Sequence, residues 1–423
     1  YYLTTTGPVA TPIILALEAA AWAFVLLRAR AVILASRSWL VVFAFPILLA
    51  AVDTLVSTLS PHGTWGSIAY TQMDSLPIVQ VASLFGAPAI AFLLGLAPSA
   101  LAVAVYRGTR IDRPRLAYGL PAATLVAALA WGSWRIGAAD PTRTVDVGVA
   151  AIDRFTSART SAARADSVWR GYDSAVTLLA QEGAKIVVLP EKISVLRDSE
   201  VAPREQALGA LAARTGVSLV AGVQIDRVAR NENVAWLFTP GGALAGEYLK
   251  RRMVPHLESD LTPGSADLVR TIDGLPFGVA ICRDLIFADI GRRYGRLGVS
   301  ALLVPAWDFY RDAWMASAVA RLRGVESGYA VVRAGRESYL AVSDRYGRVL
   351  MRTRSTALPG TALVVPLPLE VARPTLYAET GDVFGWLSVL VAVLGLVATR
   401  RRRVTTGPSG DSAVLPEVAA TAA

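Results

Sequence analysis

Three residues whose types suit acyl chemistry each close a short apolar run. Lys185-Ile-Val-Val-Leu-Pro-Glu191 ends on a carboxylate, Ala243-Leu-Ala-Gly-Glu-Tyr-Leu-Lys250 on an amine, and Phe277-Gly-Val-Ala-Ile-Cys282 on the only thiol of the chain. A thiol becomes a nucleophile when a base takes its proton, and the tetrahedral state it forms with an ester or amide needs a cation or donors at its oxyanion. A carboxylate, an ammonium and a thiol supply those parts without histidine. His62 and His256 are the only histidines, which leaves little room for a histidine metal site or a Ser-His-Asp triad. One cysteine excludes an intrachain disulfide, a CxxC redox pair and a Cys-rich zinc site. No metal and no cofactor are expected.

Singly, each residue has a plainer explanation. A lone Cys after a strand is commonly a buried small hydrophobe, a Glu after Leu-Pro a turn residue, a Lys closing a strand a solvated end. The conjunction gains weight from composition. Of 42 basic residues only Lys185, Lys192 and Lys250 are lysines, against 39 arginines. Where a chain has drifted this far toward arginine, a retained lysine is mildly suspect, because a compact ammonium and a guanidinium fork are not interchangeable at a reacting centre.

Elements able to position such residues follow from hydrophobic patterning. Across 144–370 short β-branched runs alternate with amphipathic stretches, the pattern of a layered α/β domain. Strands are expected at Thr144–Ile152, Lys185–Leu189, Ser218–Val223, Val234–Thr239, Ala243–Lys250, Phe277–Ile281, Ala301–Val304, Ala330–Ala334, Tyr339–Ser343 and Ala362–Val365. Helices are expected at Ser157–Glu182, Glu205–Thr215 and Ala313–Gly324. Sites in open α/β sheets gather at the carboxyl ends of strands, so the ends at Glu191, Lys250 and Cys282 can converge.

The rest of the chain is lipid-like. With 54% hydrophobic and 18% charged residues over 423 positions, neither a wholly soluble enzyme nor a disordered protein is expected. Apolar runs of spanning length lie near 9–27, 39–58, 87–106, 118–136 and 383–399. The net charge of +9 does not signal nucleic acid, because many of its arginines cluster between these runs. Arg28, Arg30 and Arg37 follow the first run, Arg107, Arg110, Arg113 and Arg115 the third, and Arg400 to Arg403 the last, while 59–86 has no Lys or Arg. The positive-inside rule then places those clusters in the cytoplasm and both 59–86 and 140–380 outside. The expected domains are a membrane bundle (1–139), an extracytoplasmic catalytic domain (140–380), a last span with its basic stop (381–403) and a disordered cytoplasmic tail (404–423). The first residue, Tyr1 rather than Met, suggests that spans are missing upstream. Asp53 and Glu18 interrupt the spans; Asp53 divides evenly between an intramembrane functional acid and a solvated interfacial one, and Glu18 has no assigned role.

The flanks of the three residues resemble the nitrilase (carbon–nitrogen hydrolase) superfamily. Val-Leu-Pro-Glu191, Tyr248-Leu-Lys250-Arg-Arg-Met-Val-Pro255, Gly278-Val-Ala-Ile-Cys282 and Arg323-Gly-Val-Glu326 match its motifs. Within it, Gly66-Ser-Ile-Ala-Tyr70-Thr-Gln72 and Pro77-Ile-Val-Gln80 are similar to the membrane segment of apolipoprotein N-acyltransferases. The resemblance implies a four-layer αββα sandwich inserted between transmembrane helices of the plasma (inner) membrane. It implies Glu191 as base, Lys250 at the oxyanion and Cys282 as nucleophile, with Asn233, Glu258 and Asp284 in support. The acyl donor is then a phospholipid and the acceptor a diacylglyceryl apolipoprotein.

Where those acyltransferases usually read Cys-Tyr-Glu, this chain reads Cys282-Arg283-Asp284. Soluble amidases often carry Asp there, so a membrane-tethered amidase stands as the alternative, and a non-catalytic lipoprotein-binding scaffold as a third possibility. Finally, Trp307, Phe309, Tyr310, Trp314 and Met315 crowd into Ala306–Met315. They are expected either to form a lid dipping into the outer leaflet or to start a core-facing helix.

Overall fold

The computed structural model describes residues 7–405 apart from 154–159, 161, 229 and 371–372. The expected disordered tail falls outside the described residues from 406 onward, as does the start of the helix expected from Ser157.

Among the described residues, four helices are long and apolar enough to cross a membrane: Gly7–Ala35, Trp39–Leu59 (a 3-10 turn running into an α-helix), Ala87–Arg107 and Pro114–Gly137. Each contains at least the roughly 20 residues that a hydrocarbon core requires. The fifth expected span corresponds to the helix Val383–Thr405, whose apolar stretch, Val383–Val397, is shorter than the others. Asp53 is buried within the bundle, so its solvated reading is wrong. Glu18 is half-buried.

Residues 143–369 fold around two sheets. The first runs Thr361–Leu369, Arg143–Ala151, Ile186–Val188, Ser218–Asp226, Asn231–Phe238 and Leu244–Leu249, with the short Val195–Arg197 beside Ser218–Asp226. The second runs Val349–Arg354, Tyr339–Ser343, Ala330–Arg336, Ala301–Trp307, Leu275–Val279 and Leu268–Ile272. Strand alternation sends successive side chains to opposite faces. Ile186 and Val188 join Val147, Val304 and Val332 in the core between the sheets. Val187 and Leu189 turn the other way, onto Tyr172, Val176 and Leu179 of the helix Ala162–Gln181 and Leu208 and Leu211 of Asp198–Thr215. Burial on both faces explains why this strand reads as an unbroken apolar run.

Ala288–Arg296 and Ala313–Ser327 accompany the second sheet, and Ala313–Ser327 also joins it to the membrane bundle. Leu322 and Val325 of that helix share a cluster with Ala69, Tyr70, Val79 and Ile90. Polar ties cross the same seam. Arg323 pairs with Glu326 at 2.5 Å and donates to Tyr70 Oη at 3.3 Å, while Glu326 Oε1 accepts the Ala87 amide at 3.0 Å, at the start of the third apolar helix. Gln80 donates to the Tyr346 carbonyl at 2.8 Å, and Arg348 to that of Ile136 at 2.7 Å.

Candidate active site

Glu191 lies three residues beyond the end of Ile186–Val188 in the first sheet. Leu189 still donates to Val220 O at 2.8 Å, after which Pro190 and Glu191 turn toward the second sheet, where the Glu191 amide meets Ala306 O at 3.4 Å. The turn needs Gly222 on the neighbouring strand, because a Cβ there would lie 2.5 Å from Pro190 O and 2.7 Å from Glu191 Cα. The buried carboxylate accepts Asn233 Nδ2 at 2.6 Å and Lys250 Nζ at 2.7 Å on Oε1, and the Trp307 amide at 3.0 Å on Oε2.

Lys250 follows Leu244–Leu249 and is held by its own amide on Asn233 O at 2.9 Å. Its ammonium, 1% exposed, lies between Glu191 and Glu258, the latter at 2.8 Å. Burial opposes that charge, but the two carboxylates overcome it and hold the ammonium above its ordinary range. Glu258 also meets Lys192 Nζ at 2.5 Å, and Asn233 Nδ2 bridges to it at 3.1 Å. Although burial pushes Glu258 up, Lys250 and then Lys192 bring its pKa down to about 2. Two carboxylates and two ammoniums thus form a closed, charge-balanced cluster.

Cys282 comes from the other sheet, three residues after Leu275–Val279, and opens a 3-10 turn, Cys282–Ile286. Its φ of +42° is the left-handed region, a strain found in nucleophile turns. Asp284 fastens the turn: Oδ1 accepts the amides of Arg251 at 3.1 Å and Arg252 at 2.8 Å, and Oδ2 accepts the Ile281 amide at 3.1 Å and Tyr248 Oη at 2.8 Å. Burial lifts the Asp284 pKa to about 6 against the pull of Lys250 and these bonds. Cys282 is half-buried, and its thiol donates to Trp307 O at 3.3 Å, with Asp308 Oδ1 at 3.7 Å. Burial, then the negative charges of Glu191 and Asp308, push the thiol well above its ordinary pKa, so it rests protonated. The three expected strand ends do converge, but from two facing sheets rather than one.

Of the aromatic segment, Trp307 lies in a strand. The strand Ala301–Trp307 runs three residues further than expected, and its register pairs Trp307 with Arg336. Trp307 is pinned there by its amide on Glu191 and by Nε1 on Glu337 Oε2 at 2.9 Å, with the Arg336 guanidinium 4.1 Å from its ring centroid. Trp307 therefore belongs to the wall of the site, which corrects its place in the lid. Phe309 lines a narrow apolar pocket over Cys282 together with Trp65, Leu285, Ile286 and Val319. Tyr310 and Trp314 are exposed, at 52% and 39%.

Sequence reasoning missed several residues here. Lys192, already singled out as one of three retained lysines, was given no place at the site although it adjoins Glu191. Asp308 pairs with Arg333 at 2.6 Å and takes the Ser338 hydroxyl. Arg336 Nε donates to Glu191 O at 2.9 Å. Lys192 and Glu337 share with Cys282 a positive φ, +48° and +51°, so strained backbone gathers around Trp307. Among the described residues no group of three or more His, Cys, Asp or Glu is arranged to hold a metal.

Comparison with known proteins adds the following. Residues 130–340 match the carbon–nitrogen hydrolase family, and residues 1–100 match the apolipoprotein N-acyltransferase N-terminal domain. An apolipoprotein N-acyltransferase of Geobacter metallireducens is 23% identical over 398 residues, 85% of this chain and 75% of its own. One of Bradyrhizobium diazoefficiens is 25% identical, covering 84% of this chain and 73% of its own. Another, of Gloeobacter violaceus, is 35% identical over 38% of this chain and 30% of its own. An amidase from Nesterenkonia sp. AN1, solved with butyramide, aligns at a TM-score of 0.49 and 17% identity, over 56% of this chain and 93% of that one.

Proposed function

Since the chain belongs to the nitrilase (carbon–nitrogen hydrolase) superfamily and is apolipoprotein N-acyltransferase-like, we propose that it moves an acyl chain from a phospholipid, through a thioester on Cys282, to the amine of a diacylglyceryl-cysteine at a lipoprotein N-terminus. The observation that carries this is the meeting of Glu191, Lys250 and Cys282 beneath an apolar pocket whose wall includes Trp65, from the segment between two apolar helices.

Glu191 takes the proton as Cys282 attacks the ester carbonyl, because a thiol held above its ordinary pKa needs a base at that moment. Lys250, fixed between two carboxylates and permanently charged, faces the oxyanion. When the tetrahedral state collapses, the proton passes to the departing lysophospholipid oxygen and the acyl group stays on sulfur. The lipoprotein amine then attacks the thioester, an amide forms, and the thiol regains its proton. This is ping-pong transfer. Asn233 and Glu258 hold the base and the ammonium in place, and Asp284 holds the nucleophile turn. Asp284 makes four bonds to the turn and its neighbours, which suits a structural tie.

In this reading the catalytic domain, 140–380, is a four-layer αββα sandwich on the extracytoplasmic face of the plasma membrane. It is carried between the bundle 1–139 and a last span in 381–403, with residues 404–423 in the cytoplasm. The arginine clusters after the first, third and last apolar runs support that orientation. The test combines purified protein, phospholipid and a diacylglyceryl lipopeptide. N-acylated peptide, with an acyl adduct on Cys282 in the intact mass when peptide is withheld, is the expected result. Release of free fatty acid without N-acyl product would instead identify a hydrolase.

A further inference from the structure

A cavity of about 740 Å³ opens where the apolar helices meet the catalytic domain. On the membrane side it is lined by Thr58 and Leu59, the last residues of the second apolar helix, by Ala87 and Pro88, the first of the third, and by Asp382, which precedes Val383–Thr405. Apolar helices end where hydrocarbon gives way to headgroups, so this space lies level with lipid phosphates.

The domain side contributes Arg251, Arg252, Arg283, Arg292 and Arg323. Carboxylates of the same lining answer three of them: Asp289 meets Arg252 at 2.9 Å, Asp382 meets Arg292 at 3.1 Å and Glu326 meets Arg323 at 2.5 Å. Arg251 is answered from just outside the lining, by Asp267 at 2.8 Å. Arg283, 3% exposed, donates to the Pro61 carbonyl at 2.5 Å, and its guanidinium carbon lies 5.6 Å from the centre of the Phe287 ring. It is also the one described residue that lines both this cavity and the narrow apolar pocket over Cys282. Arg283 follows Cys282 directly, so their Cα atoms are about 3.8 Å apart.

We propose that this cavity receives the phosphodiester of the acyl donor, and that Arg283 selects phosphate-bearing lipids by holding that group while the ester reaches Cys282. A guanidinium presents a planar fork that matches two phosphate oxygens, a geometry an aromatic at this position lacks. The proposal rests on the acyl-transfer reading and adds to it the residue that recognises the donor.

The test compares two donors in the same detergent micelles: phosphatidylglycerol, and a diacylglycerol with identical acyl chains but no phosphate. The readout is the rate of acyl-adduct formation on Cys282, by intact mass, in wild type, Arg283→Lys and Arg283→Gln. The ratio of phosphatidylglycerol rate to diacylglycerol rate should fall about 10- to 100-fold in Arg283→Gln, the loss of one or two charge-assisted bonds. Arg283→Lys, which keeps the charge without the fork, should lie between. A loss of structure would slow both donors together and leave the ratio unchanged. An unchanged ratio in variants that keep the wild-type thermal midpoint overturns the proposal. A wild type that takes acyl groups from neither lipid sinks the acyl-transfer reading itself, and the proposal with it.

Discussion

Glu258→Gln should destabilise the protein by ~3 kcal/mol at neutral pH, and Lys192→Met should restore much of what it loses. Glu258 is 4% exposed and accepts four hydrogen bonds, two of them from the ammoniums of Lys192 and Lys250. Its pKa falls from the ordinary 4.5 to about 2, and a gap of that size is worth ~3 kcal/mol of folding free energy. The sign follows from the depressed folded-state value: the contribution is complete above pH 4.5 and is lost as pH falls through about 2. An independent estimate agrees, since removing one partner of a buried ion pair costs about 3–5 kcal/mol. Glutamine keeps the shape but leaves Lys192 and Lys250 facing Glu191 alone, one positive charge in excess. Lys192→Met alone leaves one negative charge in excess, and the double variant is neutral again. Equilibrium unfolding in detergent micelles, followed by tryptophan fluorescence, should show the double variant less destabilised than the sum of the singles by ~2–3 kcal/mol. The glutamine variant should also lack the wild type's loss of stability between pH 4.5 and 2. Strictly additive costs, or a Glu258→Gln protein within about 1 kcal/mol of wild type, roughly the error of a predicted stability change, would refute the charge-balanced cluster.

Cys282→Ala and Cys282→Ser should abolish acyl transfer at unchanged thermal midpoint, while Cys282→Gly should be more stable than either by ~1 kcal/mol, because glycine alone accepts the φ of +42° without strain; acylation by the Ser protein near the wild-type rate would end the thioester mechanism. Lys250→Arg should lose roughly as much turnover as Lys250→Ala, about 10²–10³-fold, since the space between Glu191 and Glu258 fits an ammonium and not a wider planar group; steady-state rates on a lipopeptide decide it. Glu191→Gln should stop turnover yet speed alkylation of Cys282 by a neutral maleimide at pH 8, because removing a carboxylate that lifts the thiol pKa raises the thiolate fraction; slower alkylation would show the field argument wrong. In a Cys282→Ala background, a cysteine at Glu182 should react with an impermeant thiol reagent on intact cells and one at Ala35 should not; the reverse pattern inverts the topology.

Much of the site was legible because scarce residue types sat at the ends of apolar runs. Glu191, Lys250 and Cys282 each follow a strand within three residues, and Asn233 lies in the strand beside Lys250. What escaped depends on partners far away in the chain. Arg336 reaches Glu191 across 145 residues and Arg333 reaches Asp308 across 25, contacts that no local pattern encodes. Trp307 was misplaced because aromatic density hid a strand that continues through it, a point decided by its pairing with Arg336. Leu268–Ile272 and Val349–Arg354 went unnoticed as edge strands, whose exposed Arg and Thr side chains break the apolar signal. Ala288–Arg296 carries two glycines in nine residues, so its helix rests on packing around Ile290 and Tyr294 rather than on propensity.

The helix Ala313–Ser327 limits how this protein can be recombined with its relatives. Ala316 and Val319 face the pocket over Cys282, while one or two turns later Arg323 and Glu326 hold Tyr70 and Ala87 of the membrane half. Thr64, bonded to both Tyr70 Oη and the Ile286 carbonyl at 2.7 Å, ties the nucleophile turn to the same segment. A chimera that grafts foreign helices onto this catalytic domain would therefore disturb the thiol's own scaffold unless residues 60–87 travel with the domain. The functional boundary for such exchange lies within the membrane half, upstream of Ser60, and not at residue 140, where the chain leaves the fourth apolar helix.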